Sequence, residues 1–190
     1  MEFLTFAGVD DGSFFQRNDR DRASLLCSVL LVRSRIRDVR VGQIQVDGDD
    51  STEEILRLVE AWRFRALFLS GITFGGFNVV DGRRLYERLR KPIIVVPSRK
   101  PGSRNMLSAL RKHFPDWARR WGLVRAAGPL YTARSFPGEP KLHFEMFGSS
   151  LKEARRFLRL TALCSRVPEP IRAVRMIARA FSAQDVRELP

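Results

Sequence analysis

A mostly apolar run over residues 23–32, SLLCSVLLV at its centre, constrains the fold more than any other feature of the chain. A strand with apolar side chains on both faces must be covered on both faces, so it belongs in the middle of a sheet. The flanking segments Phe3–Asp10 and Val39–Val46 also have strand patterns, and short polar links join them to the run. We therefore predict three antiparallel neighbours, with a sharp acidic turn at Asp10-Asp11-Gly12 and a bulge near Gly42.

After the third strand the apolar period changes to that of a helix. Ser51 and Glu54 have the spacing of a capping box, which predicts a helix from Ser51. The following segments alternate as strand, helix and strand over Ala66–Leu69, Asn78–Arg90 and Pro92–Val96. This order predicts a ribonuclease H-like α/β fold, in which a mixed sheet has the strand order 3-2-1-4-5 and helices on its faces.

The remaining sequence predicts a mostly helical C-terminal extension. Helical patterns cover residues 103–114 and 115–121, and strand patterns cover 130–133 and 142–147. Ser150 and Glu153 have the spacing of a second capping box, and Pro170 is placed to open a last helix. No linker or repeat divides the chain, so we expect a single domain over residues 1–190.

The charge balance points to a polyanionic partner. Lysine and arginine number 34, against 21 aspartates and glutamates, and the formal net charge is +13. Arginine supplies 29 of the 34, and its guanidinium suits both phosphate oxygens and base stacking. The basic residues are spread along the chain, which favours nucleic acid over an anionic membrane. A general compositional bias toward arginine is the alternative interpretation.

The cysteines and the N-terminal segment indicate the cellular compartment of the protein. Cys27 lies in the apolar run and Cys164 near the end of a helical pattern, so we predict buried, reduced thiols. The N-terminal segment is acidic, unlike a signal peptide, and no apolar run reaches the roughly 18 residues of a membrane span. We therefore expect a soluble cytoplasmic protein with no membrane partner.

Five short segments are spread over nearly the whole chain: Gly8-Val9-Asp10-Asp11-Gly12-Ser13-Phe14, Val46-Asp47-Gly48, GITFGGFNVVD at 71–81, KPIIVV at 91–96 and VPEPIR at 167–172. In this order they resemble the archaeal DUF99 (UPF0215) family. That family is regarded as a distant relative of endonuclease V. The resemblance therefore implies a ribonuclease H-like fold, in agreement with the strand order.

The resemblance also implies a metal centre with Mg²⁺ or Mn²⁺ and no organic cofactor. In such nucleases, carboxylates on the first and fourth strands bind metal ions that activate water. Asp10 matches the first position. Ser70 stands where the family carries an aspartate, and Arg175 stands where a histidine often follows the Pro-Glu-Pro motif. A serine is only a weak neutral ligand, so the expected centre is weakened.

Other carboxylates that could complete the centre lie at Asp11 and in the turn Asp47-Gly48-Asp49-Asp50. Asp50 aligns best with an aspartate of the family pattern, and Asp49 precedes Ser70 by nearly the separation of the endonuclease V carboxylates. The alternative is structural. In that interpretation Asp50 or Ser51 caps the helix, Asp47 makes a turn hydrogen bond, and Asp11 is a turn residue before Gly12.

Substrate contacts are expected from a lysine, several arginines and a glycine-rich turn. Lys100 resembles the lysine that follows the corresponding strand of endonuclease V, where an ammonium could meet phosphate; ordinary loop charge is the alternative. The further residues expected to contact substrate are Gly71, Gly75, Gly76, Asn78, Arg99, Arg172, Arg175 and Arg179. Nothing in residues 47–54 resembles the endonuclease V wedge that probes deaminated bases, so that specificity is not expected here.

Two functions from different classes remain open at this point. One is a Mg²⁺-dependent phosphodiesterase acting on RNA or DNA, with Asp10 and the acidic turn as ligands. The other is a nucleic-acid-binding module that keeps the fold and the basic surface without turnover. Ser70 discriminates between them, because the enzyme needs another carboxylate to replace the one that is missing.

Overall fold

The computed structural model describes residues 4–16, 22–98 and 103–181. Its strands are β1 Thr5–Gln16, β2 Arg22–Val32, β3 Arg35–Gln45, β4 Leu67–Leu69, β5 Thr73–Phe74, β6 Asn78–Val79, β7 Ile93–Val95, β8 Tyr131–Ala133 and β9 Leu142–Phe147. Its helices are α1 Ser51–Val59, α2 Gly82–Leu89, α3 Ser103–His113, α4 Trp117–Ala126, α5 Leu151–Thr161 and α6 Glu169–Ala180. No helix in the described ranges is long and apolar enough to cross a membrane.

The main sheet has the predicted order and two further strands. Its order is β3-β2-β1-β4-β7-β9-β8, so the first five positions confirm the prediction, with β7 as the fifth strand. β1 and β4 are parallel, as are β4 and β7, and the other pairs are antiparallel. The described part of the sheet has seven strands because β9 pairs with the outer edge of β7 and carries β8. Strands β5 and β6 form a separate hairpin.

Apolar clusters cover β2 on both faces, as its sequence requires. On one face Leu26 and Leu30 join a core with α1 and α2, whereas Leu25 and Val29 pack against α6 on the other. Burying each leucine contributes roughly 1.5–3 kcal/mol. Helices α5 and α6 therefore lie on one face of the sheet, and α1 and α2 lie on the other.

Two local predictions about the first three strands are wrong. β1 does not turn at Asp10-Asp11-Gly12 but continues to Gln16, and its ladder with β2 is irregular only between Asp11 and Phe14. Gly42 pairs regularly with Leu26, and the irregularity in the β2–β3 ladder lies at Leu30 and Leu31 instead. The long ladder between β1 and β2 supplies backbone hydrogen bonds past the acidic pair, which removes the need for a turn there.

Helix starts were predicted with mixed success. Ser51 and Glu54 form no capping box: helix α1 is preceded by Asp50, which makes no capping bond, and Glu54 is paired with Arg57. The helix predicted from residue 78 begins at Gly82. Its cap is Asp81, whose carboxylate accepts a hydrogen bond from the backbone N–H of residue 84. The prediction for α5 is confirmed in part, because Ser150 Oγ accepts a hydrogen bond from the backbone N–H of residue 153.

The cysteine prediction is correct for only one residue. Cys27 is fully buried in β2, and burial raises the pKa of its thiol to about 12, with a smaller contribution from the charges of Asp10 and Asp11. Cys164 is exposed, because it follows the end of α5 rather than lying inside the helix. Both thiols are free.

Helix α6 lies directly on β1 because glycines remove side chains from the contact. Gly8 and Gly12 share one face of the strand, and a Cβ added at Gly8 would overlap the carbonyl of Pro170. A Cβ at Gly12 would lie 2.8 Å from the carbonyl oxygen of Ala178. Four strand residues and eight helix residues both span about 12–13 Å, so the two contacts hold α6 along the strand.

We predict that Gly8→Ala destabilises the fold because the added methyl group must push the helix away from the strand. Overpacking of this kind costs about 1–3 kcal/mol. The control is Gly122→Ala in α4, where an added Cβ meets nothing within 4 Å, and which should be neutral or stabilising by up to about 1 kcal/mol. Urea denaturation of both variants measures the difference. Equal stability would show that α6 does not rest on β1 at Gly8.

Candidate functional site

The candidate site lies where the parallel strands β1 and β4 end their pairing. Val9 pairs with Leu69, and the backbone N–H of Ser70 donates to the Val9 carbonyl at 3.1 Å. The next residue on β1 is Asp10, which is only 7% exposed, and Ser70 Oγ donates a hydrogen bond to Asp10 Oδ1. The predicted meeting of Asp10 and Ser70 is therefore confirmed.

Arg175 completes the contacts of the Asp10 carboxylate. Its Nε donates to Oδ2 at 3.2 Å, and Oδ1 also accepts the backbone N–H of Asp11 at 3.1 Å. The ion pair is mostly buried, since the exposed fractions of the Arg175 and Asp10 side chains are 24% and 10%. Arg175 reaches Asp10 because it lies on α6 between the two glycine contacts. The two positions that depart from the family pattern, 70 and 175, thus converge on one carboxylate.

A cavity of about 480 Å³ opens beside this carboxylate. Besides Asp10, Ser70 and Arg175, its lining residues are Asp11, Gly71, Ile72, Thr73, Pro97, Ser98, Met106, Glu145 and Arg179. Burial raises the pKa of the Glu145 carboxyl. The cavity therefore combines two arginines with three acids, one of which is already paired.

Asp11 links β1 to the β5–β6 hairpin. Its Oδ2 accepts the backbone N–H of Gly75 at 2.8 Å. Burial raises the pKa of the Asp11 carboxyl, and the hydrogen bond from Gly75 opposes part of the rise. Asp11 is thus a strand residue at the edge of the cavity, not the turn residue of the alternative interpretation.

The acidic turn after β3 makes structural hydrogen bonds and does not line the cavity. Asp47, in left-handed backbone conformation, accepts the Phe77 N–H at 2.8 Å, and Asp50 accepts the Asn78 amide at 2.6 Å. Asp49 is exposed and pairs with Arg119 at 3.5 Å. The expected convergence of this turn with Asp10 is not found. Within the described ranges, no three His, Cys, Asp or Glu residues form a group that could hold a metal ion.

The glycine-rich segment is divided between the cavity and the hairpin. Gly71 lines the cavity, whereas Gly75 and Gly76 adopt positive φ in the turn of the β5–β6 hairpin. Asn78 is fully buried and holds the acidic turn: its Oδ1 accepts the Ser51 N–H at 3.1 Å and its amide donates to Asp50. In this structure Asn78 positions other elements and does not face the cavity.

The arginines expected to contact substrate have three different surroundings. Arg172 is paired with Glu169 through Nε and Oε2 at 2.8 Å. Arg175 is bound to Asp10, and Arg179 lines the cavity. Of these three arginines, only Arg175 and Arg179 therefore reach the cavity. Arg99 and Lys100 lie outside the described residues.

Sequence reasoning did not identify three residues that reach the cavity from separate elements. Glu145 comes from β9, Met106 from α3 and Ser98 from the segment after β7. The only sequence signal was the polar position of Glu145 within LHFEMF, which is typical of any strand with one solvated face. Glu145 reaches the cavity because β9 pairs with β7, where Val95 is opposite Glu145.

The donor set beside Asp10 does not fit a divalent metal centre. Mg²⁺ and Mn²⁺ bind hard oxygen ligands, and catalytic pairs of such ions need several converging carboxylates. Here Ser70 is neutral, both oxygens of Asp10 accept hydrogen bonds, and Arg175 already supplies positive charge at that carboxylate. A divalent ion at Asp10 would have to displace the guanidinium.

The fold is ribonuclease H-like, and solved structures of endonuclease V share it. Endonuclease V from Ciona intestinalis, solved with DNA that contains an inosine, superposes with a TM-score of 0.56 at 13% identity, covering 94% of this chain and 86% of that chain. A crystal structure from Archaeoglobus fulgidus of a protein of unknown function superposes with a TM-score of 0.79 at 27% identity, covering 93% and 97%.

Sequence comparison gives the family. The model of the family named Endonuclease dU matches residues 2–182. A UPF0215 protein from Thermococcus gammatolerans is 39% identical over 182 residues, covering 93% of this chain and 91% of its own. The chain belongs to the Endonuclease dU (UPF0215) family, as the five sequence segments predicted.

We predict that Arg175→Ala destabilises the protein by about 1–3 kcal/mol because it leaves the buried Asp10 carboxylate without its cation. Breaking a fully buried pair costs roughly 3–5 kcal/mol, and partial exposure of Arg175 reduces this. Arg172→Ala on the same helix, which breaks a more exposed pair, is the matched control and should cost less. Urea denaturation measures both variants.

Neutralising the Asp10 carboxylate tests whether the loss of stability in Arg175→Ala comes from an unpaired buried charge. Asp10→Asn in the Arg175→Ala background should recover part of the lost stability, since no unpaired charge then remains buried. If the double variant is as unstable as the sum of both single variants, Asp10 and Arg175 are not energetically coupled.

Proposed function

We propose that the protein binds nucleic acid at the cavity beside Asp10 and does not hydrolyse it through a metal ion. The observation that carries this proposal is the pairing of Asp10 with Arg175 and Ser70, which uses both carboxylate oxygens. The arginine then provides the positive charge that a metal ion provides in a nuclease of this fold. The chain thus corresponds to the binding module considered from its sequence.

Charge and family support a nucleic-acid ligand. The net charge of +13 arises mainly from arginine, which suits phosphate oxygens. The Ciona intestinalis endonuclease V with the same fold was solved in a complex with DNA. At the cavity, Arg179 adds a second guanidinium four residues after Arg175 on α6. These features favour a phosphate-bearing chain over a neutral ligand.

The competing function is a Mg²⁺- or Mn²⁺-dependent phosphodiesterase. Its support is the family and the presence of Asp10, Asp11 and Glu145 around one cavity. It requires Arg175 to leave Asp10 and another acid to approach in its place. Both changes oppose the contacts described above, so we favour binding without metal-dependent turnover.

We predict salt-sensitive binding to short single-stranded and duplex oligonucleotides. Each phosphate neutralised on a duplex contributes a slope of about −0.9 to the logarithm of affinity against the logarithm of salt concentration. Fluorescence anisotropy at several salt concentrations measures the slope. Polyglutamate, an acidic polymer without phosphate groups, is the control anion. Absence of oligonucleotide binding at low salt would contradict the proposed function.

We predict that restoring two family-typical residues creates a metal response that the natural chain lacks. Ser70→Asp alone adds a carboxylate that Arg175 can also neutralise, so it should respond weakly to Mn²⁺. Ser70→Asp combined with Arg175→His removes that cation and adds a metal ligand. A Mn²⁺ concentration of 100 times the Kd would then stabilise the fold of the double variant by about 2.7 kcal/mol.

Melting curves with and without Mn²⁺ test this prediction for the natural chain, both single variants and the double variant. Cleavage of labelled RNA and DNA is measured in parallel, with Asp10→Ala as the reference. If the natural chain cleaves with Mg²⁺ or Mn²⁺ and Asp10→Ala abolishes cleavage, the metal-dependent enzyme replaces our proposal.

A further inference from the structure

A second cavity lies on the other side of Arg175. Its volume is about 390 Å³, and it shares Pro97, Ser98 and Arg175 with the cavity beside Asp10. Its remaining polar lining comes from Lys141, His143 and Arg166. These residues lie at the start of β9 and in the segment between α5 and α6. Arg175 therefore stands between two adjacent cavities.

The first cavity has charged groups of both signs, whereas the charged groups that line the second cavity are all cationic. The first contains three acids, whereas the described lining of the second contains no carboxylate. Lys141, Arg166 and Arg175 supply three cationic groups to the second cavity, and His143 supplies an imidazole. A concave site lined by one sign of charge attracts ligands of the opposite sign. The second cavity is thus suited to an anion.

Several donors in this cavity have few partners among the described residues. The Arg166 side chain makes one long bond, from Nη1 to the Lys141 carbonyl at 3.4 Å. Arg175 donates a hydrogen bond to Asp10 through Nε. Its Nη1 and Nη2 make no hydrogen bond to the described residues. A guanidinium has five N–H donors, so most of this capacity is open to a ligand.

His143 gives an independent indication that a polar ligand belongs here. Its Nδ1 is buried and has no hydrogen-bond partner among the described residues. Leaving a buried polar atom without a partner costs about 1–3 kcal/mol, so such atoms in native proteins usually bond to water or to a ligand. The His143 side chain lines the second cavity together with the cationic groups.

We propose that the second cavity binds a phosphate group of a nucleic-acid strand, next to the part of the strand held beside Asp10. The proposal rests on the function proposed above and adds the position of a backbone contact. Arginine forks match the oxygens of a phosphate in paired hydrogen bonds, and Lys141 adds a point charge. Arg175 then contacts Asp10 through Nε and the phosphate through its remaining nitrogens.

Inorganic phosphate tests the cavity separately from the nucleic acid. We expect phosphate to raise the melting temperature of the full chain more than chloride does at equal ionic strength. The variant Lys141→Ala/Arg166→Ala should lose this difference. The control Lys152→Ala/Arg156→Ala removes one lysine and one arginine from the exposed face of α5, and it should keep the difference.

Nuclear magnetic resonance of the natural chain gives a second measurement that needs no variant. The imidazole ¹⁵N signals of His143 should shift on addition of phosphate, while those of His113, on α3, should not. A melting temperature that responds equally to phosphate and chloride, together with unchanged His143 signals, would overturn the proposed anion site.

Oligonucleotide binding then decides the source of the phosphate. The second cavity holds one phosphate, so Lys141→Ala/Arg166→Ala should reduce the magnitude of the salt slope by about 1, and the α5 control should not change it. If both double variants bind oligonucleotides as the natural chain does, this phosphate contact is wrong and the proposed function stands. If phosphate binds but no oligonucleotide does, both the proposed function and the nucleic-acid source of the phosphate are overturned.

Discussion

The close contact between α6 and β1 determines what the centre of this protein can do. A helix that rests on glycine backbone lies nearer to a strand than one that rests on side chains, because no Cβ separates them. Gly8 and Gly12 provide that proximity at two points along α6. A guanidinium projecting from the helix between these points reaches a carboxylate on the strand. The chemistry at Asp10 therefore depends on residues that carry no functional group.

This contact also explains how two sequence motifs cooperate. Gly8 belongs to the Gly-Val-Asp segment near the N-terminus, and Pro170 belongs to the Pro-Glu-Pro segment near the C-terminus. Their backbones meet, and Asp10 of the first segment then faces Arg175, which follows the second segment. The two segments act as halves of one site whose assembly requires the sheet and the last helix to be in place together.

The sequence predicted the sheet well and the site only in part. The order of the first five strands followed from apolar patterns, which record burial directly, and Asp10 and Ser70 met because parallel strands end together. Arg175 was predicted to contact substrate and was noticed as a departure from the family, but its bond to Asp10 was not predicted, because the two residues are 165 positions apart. Asp50 was assigned to a metal or a cap, whereas its carboxylate bonds to Asn78, and no local pattern records such a distant contact.

Arg175 gives the centre a cation that is covalently part of the chain. A bound metal ion exchanges with solution, so its occupancy follows the supply of that ion and can be removed by a chelator. The Arg175 guanidinium is present in every folded copy, and no chelator can remove it. Its position can change only if α6 moves relative to β1. The charge beside Asp10 is therefore controlled by the packing of one helix, and not by the ionic composition of the surroundings.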